Sequence, residues 1–434
     1  MVAVLLRKPR RLAAAALAVV SAAALALTGC SGGSGASTAS ATKVTIWTWS
    51  NETRQALEGG ILASYEKEHP GVSVEVMVQP DKDYQTLLTT GLSASGGPDI
   101  AMIRSYGVLS SFADSGNLAP LDDVITDWSG FSELARTGSS SRSDGKTYAV
   151  PQGVQTAQVY YNKKIFADLG LSVPTTWDEF LKDCQAIKAA GTAPIVIPGG
   201  VAAQISLAGE VIGNARRGAE EFAKKFVAGD AKLTDPDNVA AIDLMAQLKP
   251  YLIDNVTSVT LDEAVTVFAT GKAAMFPSGT WQVATFANLG ADLDYGTFDL
   301  PVNPDWPSPA VTVAYADGGW ALSARSEHPD QAKELLNWFA SADFANQYAN
   351  AMGTIPARDG VTLTNPLISE MYTRYLKNPS TYLGAAYLRY GNPWGTDLYG
   401  EQVQKLWLGQ TDPTKAAQAI QTGIDAWFNP DDFK

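Results

Sequence analysis

From residue 43 onward, strand-like and helix-like patterns alternate along the chain, and this order restricts its fold more than any other feature. Residues 43–49 set Val44 and Ile46 against Thr45, Trp47 and Trp49, the period-two pattern of a strand. A helix follows with Leu57, Ile61 and Tyr65 on one face and stops at His69-Pro70-Gly71. Residues 72–78 read as a second strand and 84–92 as a second helix, and Gly96-Gly97-Pro98-Asp99 turns the chain into a short strand at 100–103. Further strands are expected at 192–197, 272–276 and 319–323. Helices are expected from a capping box at Thr176 and Glu179, over 261–270, from Pro329, and over 416–428. Such an order predicts an α/β protein with a mostly parallel sheet covered by helices on both faces. More chain follows residue 42 than one hydrophobic core usually serves, so two domains are expected.

The first 42 residues have a different character. Arg7, Lys8, Arg10 and Arg11 precede an apolar, alanine-rich run over 12–27, and Leu27-Thr28-Gly29-Cys30 closes it. This is a secretion signal with a cysteine at its end, and it resembles a bacterial lipoprotein signal. The resemblance implies cleavage before Cys30 and acylation of its thiol. An uncleaved membrane span is the weaker alternative, because the run falls short of the roughly 20 residues a span needs. Residues 31–42 contain only Ser, Gly, Ala and Thr, a flexible tether with a reach of roughly 20 Å. Loss of the four basic groups with the signal takes the formal charge from −13 to −17, which disfavours nucleic acid and anionic surfaces as partners. The chain has two cysteines, and Cys184 falls within the helical spacing of Trp177, Phe180, Leu181 and Ile187, which points to a buried, inert thiol.

Motifs for chemistry are sparse. The two histidines, His69 and His328, each stand beside a helix-end proline, which argues against a histidine triad or metal cluster. Ser140 with Gly145-Lys146-Thr147 lacks the first glycine of a phosphate loop and reads as a turn before a strand. No cofactor is indicated, and energy for any transport would come from another subunit. Acidic residues are plentiful, so a glycosidase using two carboxylates stays open as an alternative.

Nine segments carry a family resemblance. They are Thr45-Ile46-Trp47-Thr48-Trp49, Gly97-Pro98-Asp99-Ile100-Ala101, the run Gly145 to Gly153, and Val159-Tyr160-Tyr161-Asn162-Lys163. Pro174-Thr175-Thr176-Trp177-Asp178-Glu179-Phe180 and Phe268-Ala269-Thr270-Gly271-Lys272-Ala273-Ala274-Met275 follow, then Gly279-Thr280-Trp281, Gly318-Gly319-Trp320 and the run Ala351 to Arg358. In this order the chain resembles the extracellular solute-binding proteins of carbohydrate ABC importers, the group that includes maltose-binding protein. The resemblance implies a two-lobed, periplasmic-binding-protein-like α/β fold with a ligand cleft between the lobes. One lobe would take 43–149 plus 311–356 and the other 150–310 plus 357–434, with the first crossing near Pro151-Gln152-Gly153. It further implies a monomeric, lipid-anchored receptor on the outer face of the membrane. Such a receptor delivers a sugar or oligosaccharide to a permease served by a separate ATPase. Same-fold receptors for peptides, polyamines or metals, and a surface adhesin, are the remaining alternatives.

A sugar presents hydroxyls at its edge and C–H patches on its faces, so its site needs aromatic platforms and short polar groups. Ligands of open α/β sheets lie beyond the carboxyl ends of strands. Trp47 and Trp49 end the first strand, with Asn51 and Glu52 in the loop after it, and one of the two tryptophans is expected to line the cleft. Arg104 occupies a similar rim after 100–103, with a surface ion pair as the alternative. Gln152 and Gln155 sit beside the expected crossing, where the family often places ligand amides, with ordinary hinge hydrogen bonding as the alternative. Trp281 matches tryptophans that stack on sugar rings in the family. Gly318 and Gly319 are expected to let backbone approach the ligand, with Trp320 either beside it or in the core. Arg358 matches a family position near the cleft, and Trp394 belongs to an aromatic, turn-rich loop that could set specificity.

Overall fold

The computed structural model describes residues 41–289 and 293–433; the signal, Cys30 and the tether to residue 40 lie outside the described residues. Among the described residues ten strands form one sheet: β1 Thr42–Thr48, β2 Val72–Val78, β3 Ile100–Ile103, β4 Leu118–Ala119, β5 Ala149–Asn162, β6 Ala193–Ile195, β7 Ala273–Gly279, β8 Tyr295–Phe298, β9 Thr312–Ser323 and β10 Pro379–Thr381. Their order is β2-β1-β3-β9-β5-β7-β6, with β4 and β10 on β9 and β8 on β5. The expectation of a mostly parallel sheet is corrected here. β1 is parallel to β2 and β3, and β6 to β7. The middle of the sheet is antiparallel, because β5 and β9 run against each other and against their outer neighbours β7 and β3. Antiparallel pairing needs no helical crossover, so the run of early β-α-β units did not extend to the centre.

Local chemistry explains most element ends. Ser50 closes β1 and caps the helix Asn51–Ala56 by accepting from the Thr53 amide. Leu57, Ile61 and Tyr65 are buried, as their spacing required. At Thr176 the hydroxyl caps the Glu179 amide, but the Glu179 carboxylate turns to Thr175, so the expected box closes one residue early. The full reciprocal box is at Thr260 and Glu263. Cys184 is buried, and burial pushes its thiol pKa up.

Two main cores share β5 and β9. One gathers Val44, Ile46, Leu57, Ile100, Val150, Trp320, Leu336 and Phe339; the other gathers Val159, Phe180, Ile212, Leu248, Met275, Val313 and Trp407. β5 thus supplies Val150 to the first core and Val159 to the second, and β9 supplies Trp320 and Val313 in the same way. Between those positions the β5–β9 pairing slips twice, between Pro151 and Gly153 and between Gly153 and Val154. Polar side chains can gather at this slip without interrupting either core.

Candidate ligand-binding site

Asp317 stands on β9 at the slip, between the two cores. Its Oδ2 accepts from Gln152 Nε2 at 3.1 Å and from Gln155 Nε2 at 2.8 Å. A carboxylate only accepts, so both amides must present nitrogen to it and oxygen to their other partners. Tyr348 accordingly donates to Gln152 Oε1 at 3.3 Å, with Thr53 3.2 Å from the same phenol, and Thr280 donates to Gln155 Oε1. The result is one polar chain from Thr53, after β1, to Thr280, after β7. Burial raises the Asp317 pKa above the ordinary carboxylate range, while Gln155, Arg104 and Gln152 pull it back down.

A second group forms at the ends of β1 and β3. The Arg104 guanidinium lies 4.4 Å over the Trp49 ring and donates to Asp81 at 2.6 Å, and Trp49 meets Tyr84 edge-on at 5.2 Å. Arg104 thus makes the ion pair expected as its alternative, and its charge also acts on Asp317. Trp47 instead covers Gly91, where a Cβ would fall 2.5 Å from its ring. Of the pair, Trp49 keeps company with the charged residues. Glu52 accepts from Ser50 at the helix start, and Asn51 is exposed beside it.

The remaining candidates divide. Trp281 follows Thr280 and lays its half-buried ring over Gly279. Trp394 packs, half-buried, against the same cluster as Trp47 and Trp49, with the Arg389 guanidinium 5.6 Å from its ring. Tyr315 joins this neighbourhood: burial and then Asp317 push its hydroxyl pKa up, while Arg389 and Arg104 oppose them.

Four candidates are taken up by the packing of the fold itself. Trp320 is fully buried against Phe339 and Tyr348 at ring distances of 5.1 and 6.0 Å, so it is core and offers no face to a ligand. Gly318 and Gly319 do permit close backbone approach, but to the protein itself. A Cβ on Gly318 would meet the Ile103 carbonyl oxygen at 2.4 Å, and one on Gly319 the Val150 carbonyl oxygen at 2.4 Å. Arg358 donates to the Ala340 carbonyl, pairs with Asp127 at 3.3 Å and lies over Phe131, apart from the Asp317 group.

Asp317, Tyr348, Thr280, Tyr315 and Arg389 were not anticipated. The one available signal was an acid directly before Gly318-Gly319 in an otherwise small or apolar strand. Two hollows lie elsewhere: one of about 30 Å³ beside the buried Glu210–Arg217 pair, and an open one of about 380 Å³ beside Trp177 and Trp306. Among the described residues no group of three or more His, Cys, Asp or Glu could hold a metal, and no helix is long and apolar enough to cross a membrane.

The chain resembles known proteins over most of its length. A family model described as bacterial extracellular solute-binding protein matches residues 49–345. The chain is 24% identical over 389 residues to the multiple sugar-binding protein of Streptococcus mutans, covering 85% of this chain and 86% of that one. It is 29% identical over 330 residues to the diacetylchitobiose binding protein of Streptomyces coelicolor, covering 73% and 74%. The solved structure of a chitin oligosaccharide binding protein matches with a TM-score of 0.76 at 24% identity, over 89% of this chain and 98% of that one. The bacterial solute receptor AcbH matches with a TM-score of 0.78 at 20% identity, over 89% and 100%. With the β5–β9 crossing and its polar chain between two cores, these likenesses place the protein in the family of bacterial extracellular solute-binding proteins.

Proposed function

We propose that the chain is a lipid-anchored receptor that takes a sugar or short oligosaccharide between two lobes and delivers it to an ABC permease. The carrying observation is the Asp317 group: a carboxylate held by two amides at a strand crossing, with Arg104 acting on it, Trp49 beneath that guanidinium, Trp394 in the same cluster as Trp49, and Trp281 next to Thr280 at the far end of the polar chain. Hydroxyls that both donate and accept suit such a set, and the tryptophans suit sugar C–H faces. The lobes would be 43–149 plus 311–356 and 150–310 plus 357–434, hinged where the β5–β9 pairing slips. Cys30 would carry the lipid, and residues 31–42 would let a monomeric body reach the permease. Multiple sugar-binding and diacetylchitobiose binding relatives support the sugar class.

The test is a thermal-shift screen of residues 43–434 against mono- and oligosaccharides. A ligand at 100 times its Kd adds about 2.7 kcal/mol of stability, a visible rise in Tm. A clear response to one saccharide series supports the reading. A response to peptides or polyamines alone would leave the fold standing and replace the ligand class.

A further inference from the structure

Asp317 receives both of its protein hydrogen bonds on a single oxygen. Gln152 and Gln155 each donate to Oδ2, and no described residue donates to Oδ1. The residue is half-buried, and Oδ1 is not among the sealed, partnerless polar atoms. The amides that hold Oδ2 are themselves fixed by Tyr348 and Thr280, so the carboxylate plane is set before any ligand arrives. Arg104, the cation acting on this carboxylate, is already engaged by Asp81.

We propose that Asp317 sets the charge selectivity of the site: Oδ1 takes hydroxyl hydrogens from a neutral sugar, and its fixed negative charge turns away sugars that carry a carboxylate. The inference rests on the reading that this site holds a sugar. A hydroxyl donating to an ionised oxygen makes a charge-assisted bond, stronger than one between neutral groups. A hexuronate placed at the same point brings a second carboxylate with no proton to share, in a half-buried setting where like charges are poorly screened.

Asp317→Asn is the informative substitution because the network dictates its orientation. Gln152 and Gln155 still need an acceptor, so the new amide must turn its oxygen toward them and its NH₂ to the former Oδ1 position. The group facing the ligand changes from acceptor to donor with its shape preserved, and Arg104 loses the nearby negative charge that opposes it.

The experiment measures Kd by calorimetry at pH 8 for the mature chain. The probes are disaccharides ending in glucose or galactose, set against the matching disaccharides ending in glucuronate or galacturonate. For the wild type we expect binding of a neutral member at least about a hundredfold tighter than its uronate counterpart. In Asp317→Asn the neutral member should weaken roughly tenfold or more and the uronate should tighten, bringing the ratio below about tenfold. Asp317→Glu keeps the charge and should keep the preference for the neutral member, which guards against a merely structural effect of the first variant. Equal wild-type affinity for both members, or a ratio unchanged in Asp317→Asn, overturns the inference while leaving the sugar-receptor reading intact. Silence of the wild type to every member and to the whole saccharide screen overturns both.

Discussion

Burial gives Asp317 a pH-dependent bearing on stability, separate from the recognition role proposed for it. Burial lifts its pKa above the ordinary value of 3.8, so the unfolded chain releases this proton at a lower pH than the folded one does. Ionisation of Asp317 in the fold therefore costs stability at neutral pH. That cost is relieved as pH falls through the raised folded value toward the unfolded one. Tyr315 and Tyr348, pushed up by burial, stay neutral across this range. The unfolding free energy of Asp317→Asn relative to wild type should therefore decline as pH is lowered from 8 toward 4, measured by urea melts without ligand. A difference that stays flat, or grows, would show that the carboxylate is not held above its ordinary range. Part of this neighbourhood was singled out from the sequence: Trp49, Arg104 and Trp394 by their places at strand ends and in a turn-rich loop, and Gln152, Gln155 and Trp281 by the family resemblance. Asp317 was not, because one acid among 45 acquires meaning only when the register of β5 on β9 brings both glutamines to it.

The same dependence on register separates the elements that could be read from those that could not. β1, β2 and β3 are local units, and β1 and β2 by alternation and β3 by the turn before it were placed within a residue. β5 and β9 run for 14 and 12 residues across two cores, and their buried positions follow two surroundings in turn, so no single alternation marks them. Half of β9 was visible as 319–323, the half that lies in the first core. Gly318 is where that half begins: its φ is +135°, and Cβ would meet the Ile103 carbonyl oxygen at 2.4 Å. Gly318→Ala should cost about 2–4 kcal/mol in urea unfolding, from a backbone forced out of its region and strands forced apart. Gly145→Ala supplies the control, with φ +71° but open space where its Cβ would go, and should cost about 1 kcal/mol. Equal losses at the two positions would mean that the strand contact contributes nothing beyond backbone strain.

At the scale of the molecule, the question is what holds the two cores in their observed relation when no ligand is bound. If the lobes bend at the β5–β9 crossing as proposed, contacts away from it set the resting balance. One such contact is plain: the Arg142 guanidinium lies 4.1 Å over the Tyr390 ring and 4.2 Å over Phe433, and pairs with Asp432 at 3.5 Å. Arg142 belongs to the chain assigned to the first lobe, and Tyr390, Asp432 and Phe433 to the second. Bending at the crossing would part them, so this sandwich weights the balance toward the conformation described here. A ligand that needs this conformation binds with its intrinsic affinity reduced by the fraction of molecules occupying it. Two cation–π faces on a half-buried arginine contribute about 1–2 kcal/mol together. Arg142→Ala should then weaken binding of the screened saccharide about five- to twentyfold, although Arg142 is not among the residues gathered around Asp317. Small-angle scattering of the free variant should show a larger radius of gyration than the free wild type, and saturating ligand should bring the two together. Weakened binding with identical free-state scattering would place the effect at the site itself; an expanded free state with unchanged affinity would mean that the ligand does not require the clasped form.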